Sequence, residues 1–315
     1  MYIMIINKVA GNGRGLRVFE EVKSSPLYQK HDCRAFYTEY AGHAEKLAEQ
    51  LASLHGDRIE TMVVIGGDGT MHEVLNGLSN YSMVPVAFIP AGTGNDFSKG
   101  YQINGSPLQI LENIMVTKRK RQFYPGTYVV NQRTSKARRV FANSIGFGFD
   151  AEIVEENNKS KYKGWLSHLK LGWFSYVVSL LKVLKNFTPK TIEVTIDGDK
   201  QRLDDVWMVT VTNHPYYGGG MKIAPNTTVQ GSSFPLLIMR EIPAWKVLLF
   251  FLTVFIGKHI HFKEVSIYDV TAVEIIAQNP IYYQVDGQAG TCKSCQISKN
   301  ASKRVLFGGN SKKIS

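Results

Sequence analysis

Hydrophobic residues fall into two rhythms along this chain, and the change comes near Tyr124. Before it, short unbroken apolar runs at Tyr2–Ile6, Thr61–Ile65 and Val84–Ile89 alternate with stripes of apolar residues three and four apart. Unbroken runs rich in β-branched residues predict strands covered on both faces, as in a parallel sheet. The stripes Ala44, Leu47, Ala48, Leu51, Leu54 and Leu108, Leu111, Ile114 predict the helices that cover them. Repetition of strand, loop and helix predicts a three-layer, Rossmann-like α/β domain over residues 1–123. Beyond Tyr124 the period drops to two, most clearly at Thr191–Ile196, where Asp197-Gly198 predicts a hairpin turn. Residues 124–302 therefore read as a mostly β, sandwich-like domain. One helical segment, Trp165–Leu184, interrupts it, with Leu169, Trp173, Tyr176, Val177, Leu180, Leu181 and Leu184 on its apolar side.

Each early strand runs into a polar loop. Thr61–Ile65 is followed by Gly66-Gly67-Asp68-Gly69-Thr70, and Met71, Val74, Leu75 and Leu78 then fall at helical spacing. Thr70 and Glu73 stand three apart, as in a capping box, which would leave neighbouring loop N–H groups for an anion. Glycines let backbone approach phosphate closely, and Asp68 can hold a metal or a ribose hydroxyl. After Val84–Ile89 comes a second loop whose Thr93, Asn95 and Asp96 add hydroxyl, amide and carboxylate groups. The first strand ends at Asn7, followed by Gly11, Gly13, Arg14 and Gly15, and Thr38 closes a further apolar-aromatic run. In open α/β sheets ligands lie beyond the carboxyl ends of the strands, so these loops predict one nucleotide cleft.

Together, Asn7–Gly15, the GGDGT loop with His72-Glu73-Val74 behind it, and Pro90–Phe97 resemble the bacterial diacylglycerol and lipid kinase family, whose catalytic domain is shared with sphingosine and ceramide kinases. The likeness continues through Phe141–Asp150, Tyr217–Met221, Ala224-Pro225, Gly257-Lys258-His259 and Val285-Asp286-Gly287, in order and over nearly the whole chain. It implies transfer of the γ-phosphoryl group of ATP to a lipid hydroxyl, with diacylglycerol as acceptor and phosphatidic acid as product. Such transfer needs positioned phosphates, a divalent cation and a base near the acceptor. By resemblance, Gly66–Thr70 and Thr93 cradle the nucleotide, Asp68 or Asp96 acts through Mg²⁺, and Asp286 deprotonates the hydroxyl, with Asp150 a lesser candidate. On its own residues, Asp286-Gly287 is simply a hairpin turn. The resemblance also places Trp165–Leu184 near the lipid entrance, where the bare pattern equally suits a core helix, and returns Arg304–Phe307 to the first domain.

Two departures from the family pattern stand out. Gln288 occupies a position where relatives carry an acid, and Pro225–Pro235 contains no carboxylate where they carry Asp-Gly. A hard cation needs anionic oxygen to offset its dehydration, so the paired loss predicts that the family's structural Mg²⁺ is absent.

Composition changes the picture at a few points. A chain of 315 residues with 44% apolar residues suits two domains. Lys and Arg number 37 against 26 acids, a net charge of +11, with clusters at Lys118–Arg121, Lys136, Arg138, Arg139, Lys159, Lys161, Lys163 and Lys312-Lys313. These predict an anionic membrane surface as partner. Nucleic acid is set aside, because no binding motif is present and the clusters lack interleaved aromatics. There is no basic n-region before a long apolar core, and Val247–Ile256 is too short to span a bilayer, reading as a packed helix with an interfacial anchor as the alternative. The expected location is cytoplasmic, peripheral to the inner membrane face, and a homodimer is left open. Cys292 and Cys295 form a lone C-x-x-C without further zinc ligands and read as ordinary reduced thiols. Kinases of NAD or sugar phosphates also carry GGDG, but Pro90–Phe97 and the β-rich second half speak against them. A nucleotide-binding regulatory or lipid-sensing protein with lost turnover is favoured only by the missing acids.

Overall fold

The computed structural model describes residues 1–131, 138–159, 172–227, 233–299 and 302–309. The three apolar runs are strands β1 (Tyr2–Ile6), β3 (Thr61–Gly66) and β4 (Val86–Pro90), and their side chains are buried almost throughout. With β2 (Cys33–Tyr37) they pair in parallel, Tyr2 opposite Cys33 and Thr61, and Met62 opposite Val86. Parallel strands need cover on both faces. It comes from α3 (His43–His55) packed with α4 (Asp68–Gly77), and from α1 (Ala10–Lys23) packed with α2 (Pro26–Lys30) and α6 (Pro107–Met115). The helical stripes stop short at one end each: Leu54 and Leu108 are exposed, and Ala52 completes the buried side of α3 instead.

This sheet has the order β2-β1-β3-β4-β17-β5, where β5 is Lys120–Phe123 and β17 is Arg304–Phe307. The C-terminal strand thus lies between two strands of the first domain, parallel to β4 and antiparallel to β5. Its Arg304 is fully buried and donates to the carbonyls of Leu78 and Tyr81, beyond the end of α4.

The second sheet contains β6 (Gly126–Val130), β7 (Arg139–Phe141), β8 (Ser144–Gly148), β9 (Lys190–Ile196), β10 (Asp199–Thr212), β13 (Phe234–Arg240), β14 (Val265–Val270), β15 (Ala272–Val285) and β16 (Gln288–Lys299), while β11 (Tyr216–Tyr217) and β12 (Met221–Lys222) pair only with each other. The long strands β10 and β15 each pair with β9 along one half and β8 along the other, with register shifts between the halves. Strands that change partners at a bulge fold a sheet over on itself. The enclosed core includes Ile145, Val194, Val209 and Ile275, and both Cys292 and Cys295 are buried in it as free thiols. Burial pushes the Cys292 thiol up to about 12. Asp197 (φ 48°) and Gly198 (φ 96°) form the β9–β10 turn.

Helices in this half are more numerous than the period suggests. An unforeseen α7 (Phe149–Lys159) follows β8 directly. Of the Trp165–Leu184 segment, the described part is α8 (Gly172–Asn186); Leu169 lies outside the described residues. Leu180 is buried against Phe149 and Trp207, whereas Leu181, placed on the apolar side by spacing, faces solvent. A last helix, α9 (Ala244–Val254), packs Val247, Phe250, Phe251 and Val254 inward and leaves its other side apolar and exposed. Among the described residues no helix is long and apolar enough to cross a membrane.

Candidate active site

Three loops meet at the carboxyl ends of β1, β3 and β4, and glycine makes the meeting possible. Ala91 and Gly92 both donate their N–H to the Gly66 carbonyl, at 2.7 and 3.1 Å. A Cβ at Gly92 would sit 2.6 Å from the Gly67 Cα, and one at Gly11 would sit 2.2 Å from the Ala91 carbonyl oxygen. Asn95, itself left-handed at φ 52°, clips the second loop by accepting from Gly92 N at 2.9 Å and donating to its carbonyl at 2.8 Å. Asn7 donates to the Thr70 hydroxyl at 3.1 Å, tying the first loop to α4.

The expected capping box does not form. The N-cap of α4 is Gly67, which has no side chain to cap with, so Thr70 falls inside the first turn. Glu73 instead accepts from the N–H groups of Gly42 and Ala44, at 2.9 and 3.1 Å, and caps α3, whose own N-cap is also glycine. The α4 N-terminus is therefore uncapped by side chains, and a side chain at Gly69 would meet nothing within 4 Å. Open N–H groups at a helix start, beside close-packed glycines, fit phosphate. Thr38 follows β2 with its N–H on the Ile6 carbonyl, while Arg14 and Thr93 are exposed; of the nucleotide-loop residues expected from the sequence only Asp68 and Asp96 are among those lining the cleft between the domains.

Asp68, Gly94 and Asp96 line that cleft from the first domain, facing Asn143, Ser144, Tyr217, Gly219, Gln284 and Asp286 from the second. Asp68 accepts from the N–H groups of Asp96 and Phe97, at 3.1 and 2.9 Å, so it also caps α5 (Asp96–Gly100). Burial, and then the neighbouring Asp96 charge, push its carboxyl up to about 6. Asp96 accepts from Gly219 N at 2.6 Å and pairs with Lys99 at 3.4 Å; burial raises it too. Two desolvated carboxylates on one cleft suit a hard divalent cation. Among the described residues no group of three or more metal-binding side chains occurs, so a cation here would complete its shell with phosphate oxygens and water.

Asp286 (φ 48°) and Gly287 (φ 89°) do form the β15–β16 hairpin turn, and the turn aims the carboxylate inward. The side chain is fully buried and accepts four hydrogen bonds: Ala142 N at 2.7 Å, Asn143 N at 2.8 Å, Ser144 N at 3.0 Å and His72 Nδ1 at 2.7 Å. Burial alone would raise its pKa, but His72 and the amides outweigh it and hold the group below the ordinary carboxylate value. Sequence reasoning missed His72 as a partner. Its signal was a histidine and an amide, His72 and Asn76, one turn apart on an otherwise apolar face of α4; Asn76 exchanges two hydrogen bonds with the backbone of Val140. A second missed layer holds the 141–143 loop: Asn213 donates to the carbonyls of Phe141 and Ala142, Lys299 donates to Asn213, and His214 meets Asn143 at 2.8 Å. Burial pushes His214 down to about 4, so it is neutral there.

Asp150 is placed differently from its sequence expectation. It is fully buried on α7 and accepts from the Tyr217 hydroxyl at 2.7 Å, so it stands behind a cleft residue rather than on the cleft. Burial pushes it up to about 7. Gln288 is exposed, and residues 228–232 of the second departure lie outside the described residues. Asn226, Thr227 and Ser233 line a separate cavity together with Asp269, a carboxylate that the spacing did not suggest.

Known proteins fall on both halves of this arrangement. The family model for the diacylglycerol kinase catalytic domain matches residues 1–124, and that for the YegS C-terminal NAD kinase beta sandwich-like domain matches residues 143–298. The Bacillus subtilis protein named "Putative lipid kinase YtlR" is 33% identical over 290 residues, 91% of this chain and 93% of its own. A Mycobacterium tuberculosis diacylglycerol kinase is 24% identical over 71% of this chain and 69% of its own. The crystal structure of a diacylglycerol kinase from Bacillus anthracis superposes with a TM-score of 0.69 at 19% identity, covering 98% of this chain and 97% of that one, and so shares the fold. With an α/β half whose glycine loops meet an aspartate-lined cleft, a β half that closes it, and a close relative along nearly the whole length, this chain belongs to the diacylglycerol and lipid kinase family.

Proposed function

We propose that the protein transfers the γ-phosphoryl group of ATP to the hydroxyl of a lipid alcohol, with diacylglycerol as acceptor and phosphatidic acid as product, at the inner face of the membrane. The observation that carries this reading is the convergence of Asp68, Asp96 and Asp286 on one interdomain cleft beside the uncapped start of α4. The glycine loops and α4 would hold the phosphates, and Asp68 or Asp96 would hold Mg²⁺, which would supply charge to offset that on the transferring group. The acceptor oxygen attacks the γ-phosphorus, the bond to the bridging oxygen breaks, ADP leaves, and the hydroxyl proton passes to a carboxylate. Asp286 is the first candidate for that proton. Of its four donors only His72 is a side chain, so an acceptor hydroxyl gains access by displacing His72. A second reading gives the proton to Asp68 and leaves the cation to Asp96; one observation favours it, since Asp68, at about 6, lies nearer the working range of a general base than Asp286 does.

Incubation with γ-labelled ATP, Mg²⁺ and separate lipid classes is expected to label diacylglycerol. Label in a sphingoid base or polyprenol would change the substrate, label in NAD would overturn the reading, and no label in any fraction would favour a sensor without turnover.

The same reading includes no structural Mg²⁺. The described lining of the Ala224-Pro225 cavity offers one carboxylate, Asp269, and Gln288 is neutral. EDTA is therefore expected to leave the melting temperature of the nucleotide-free protein unchanged, since an ion bound only to the native state would stabilise by mass action. A clear fall would show that a cation is held by other ligands.

A further inference from the structure

We infer that the outer face of α9 is an insertion surface for an anionic phospholipid bilayer. The inner face belongs to the core built on Phe149, Tyr217 and Met221, yet Trp245, Leu248, Leu249, Leu252, Phe255 and Ile256 point the other way; Trp245, Leu252 and Ile256 are 62, 69 and 61% exposed. So much contiguous apolar surface along one helix calls for a partner.

Three features select a bilayer. From Ile242 to Lys263 there is no acidic residue, while Lys246, Lys258 and Lys263 are present. Of the carboxylates flanking this stretch, Glu264 is buried and paired with Lys246 at 2.7 Å and Glu241 is paired with Arg240, so the net charge beside the face comes from the exposed Lys258 and Lys263 and is basic. Lysines beside an apolar helix complement anionic headgroups, whereas against a second copy of the same face they would meet one another. The helix has 11 residues, too few to span and enough to lie in the interface, with Trp245 at its start and the Lys246 ammonium 5.9 Å from that ring. Charge elsewhere is partly spent: Lys118 pairs with Glu60, Arg139 with Glu45 and Lys159 with Glu155. Attraction by the basic clusters alone is correspondingly weaker, and insertion adds a contribution that salt does not screen.

The face also connects to the proposed chemistry. Tyr217, in the same core as Phe250 and Phe251, lines the aspartate cleft, so docking here places that side of the cleft's wall toward the leaflet that supplies the acceptor. This last step rests on the lipid kinase reading; the insertion itself does not.

The test is sedimentation of the full chain with phosphatidylcholine vesicles containing phosphatidylglycerol, without nucleotide, at low and at molar salt. Wild-type protein is expected to retain a salt-resistant bound fraction, and the double substitution Leu252→Glu, Ile256→Glu to lower partitioning about tenfold or more at both salt concentrations. Because those changes could disturb α9, brominated lipids provide an independent reading: they should quench the wild-type tryptophan emission, and Trp245→Phe should remove the quenched component. Binding fully reversed by salt, or emission that brominated chains leave unchanged, would overturn the inference. So would a dimer in solution that the double substitution splits, which would assign the face to a second copy. Turnover of short-chain diacylglycerol in detergent separates the two ideas. Activity without vesicle insertion removes only this inference, and insertion without activity removes only the kinase reading.

Discussion

The Asp286→Asn substitution is expected to lower kcat by about 10² or more and to lower stability by about 3–5 kcal/mol, the usual result of breaking a buried charged group out of its partners. The shape is kept, but one oxygen becomes an NH₂ group. Both carboxylate oxygens face donors, three backbone amides and His72, so wherever the amide nitrogen lies it opposes an N–H. The loss should appear as a fall in melting temperature on the order of 10 °C, given a few degrees per kcal/mol at this chain length. Because the folded pKa is below the ordinary value, this contribution is present above about pH 4 and is lost as pH falls through the folded value. The double change His72→Gln with Asp286→Asn should cost less than the sum of the two alone. Unchanged turnover with a lowered melting temperature would leave Asp286 a structural anchor and give the proton to Asp68.

Asp68→Asn is expected to cost about 10²–10³ in kcat/KM with a small effect on folding. Its remaining oxygen can still accept from Phe97 or Asp96, so α5 keeps part of its cap, while the charge that would face a cation is gone. The pH profile sharpens the test. Asp68 must be ionised to act, so kcat/KM of the wild type should fall as pH drops through about 6, and the substituted protein should lack that limb. Folding shows the opposite sign: a carboxyl raised to about 6 makes the ionised form unfavourable in the native state, so the nucleotide-free protein loses stability as pH rises from about 4 to 6. Wild-type kcat/KM in Asp68→Asn at every pH would remove Asp68 from both of its assigned roles.

Much of this is legible in the sequence alone. The unbroken runs at Tyr2–Ile6, Thr61–Ile65 and Val84–Ile89 had to be covered strands, because exposing them would cost apolar surface on both faces, and polar loops at their ends had to collect on one edge. Asp197-Gly198 announced its turn because two consecutive positive φ values select such residues. Local spacing failed where the answer depended on a neighbour far along the chain. Thr70 and Glu73 have capping-box spacing, but Gly67 took the N-cap and α3 came close enough to claim Glu73. Leu181 keeps apolar spacing yet faces out, since what lies beside a helix face is set by packing.

The linear chain specifies a list of parts: a parallel α/β half, a β-rich half, glycine loops at the strand ends, and the acids Asp68, Asp96 and Asp286. Those follow from periodicity and from the conformational freedom of glycine, which act over a few residues. Folding brings about the rest: Asp286 is a buried anion held by His72 across 214 residues, Asp150 stands behind Tyr217, and among the described residues α9 buries one side and exposes the other. The reason is that hydrogen-bond partners and burial depend on which surfaces the fold brings together, and nothing in the local spacing of residues encodes that encounter.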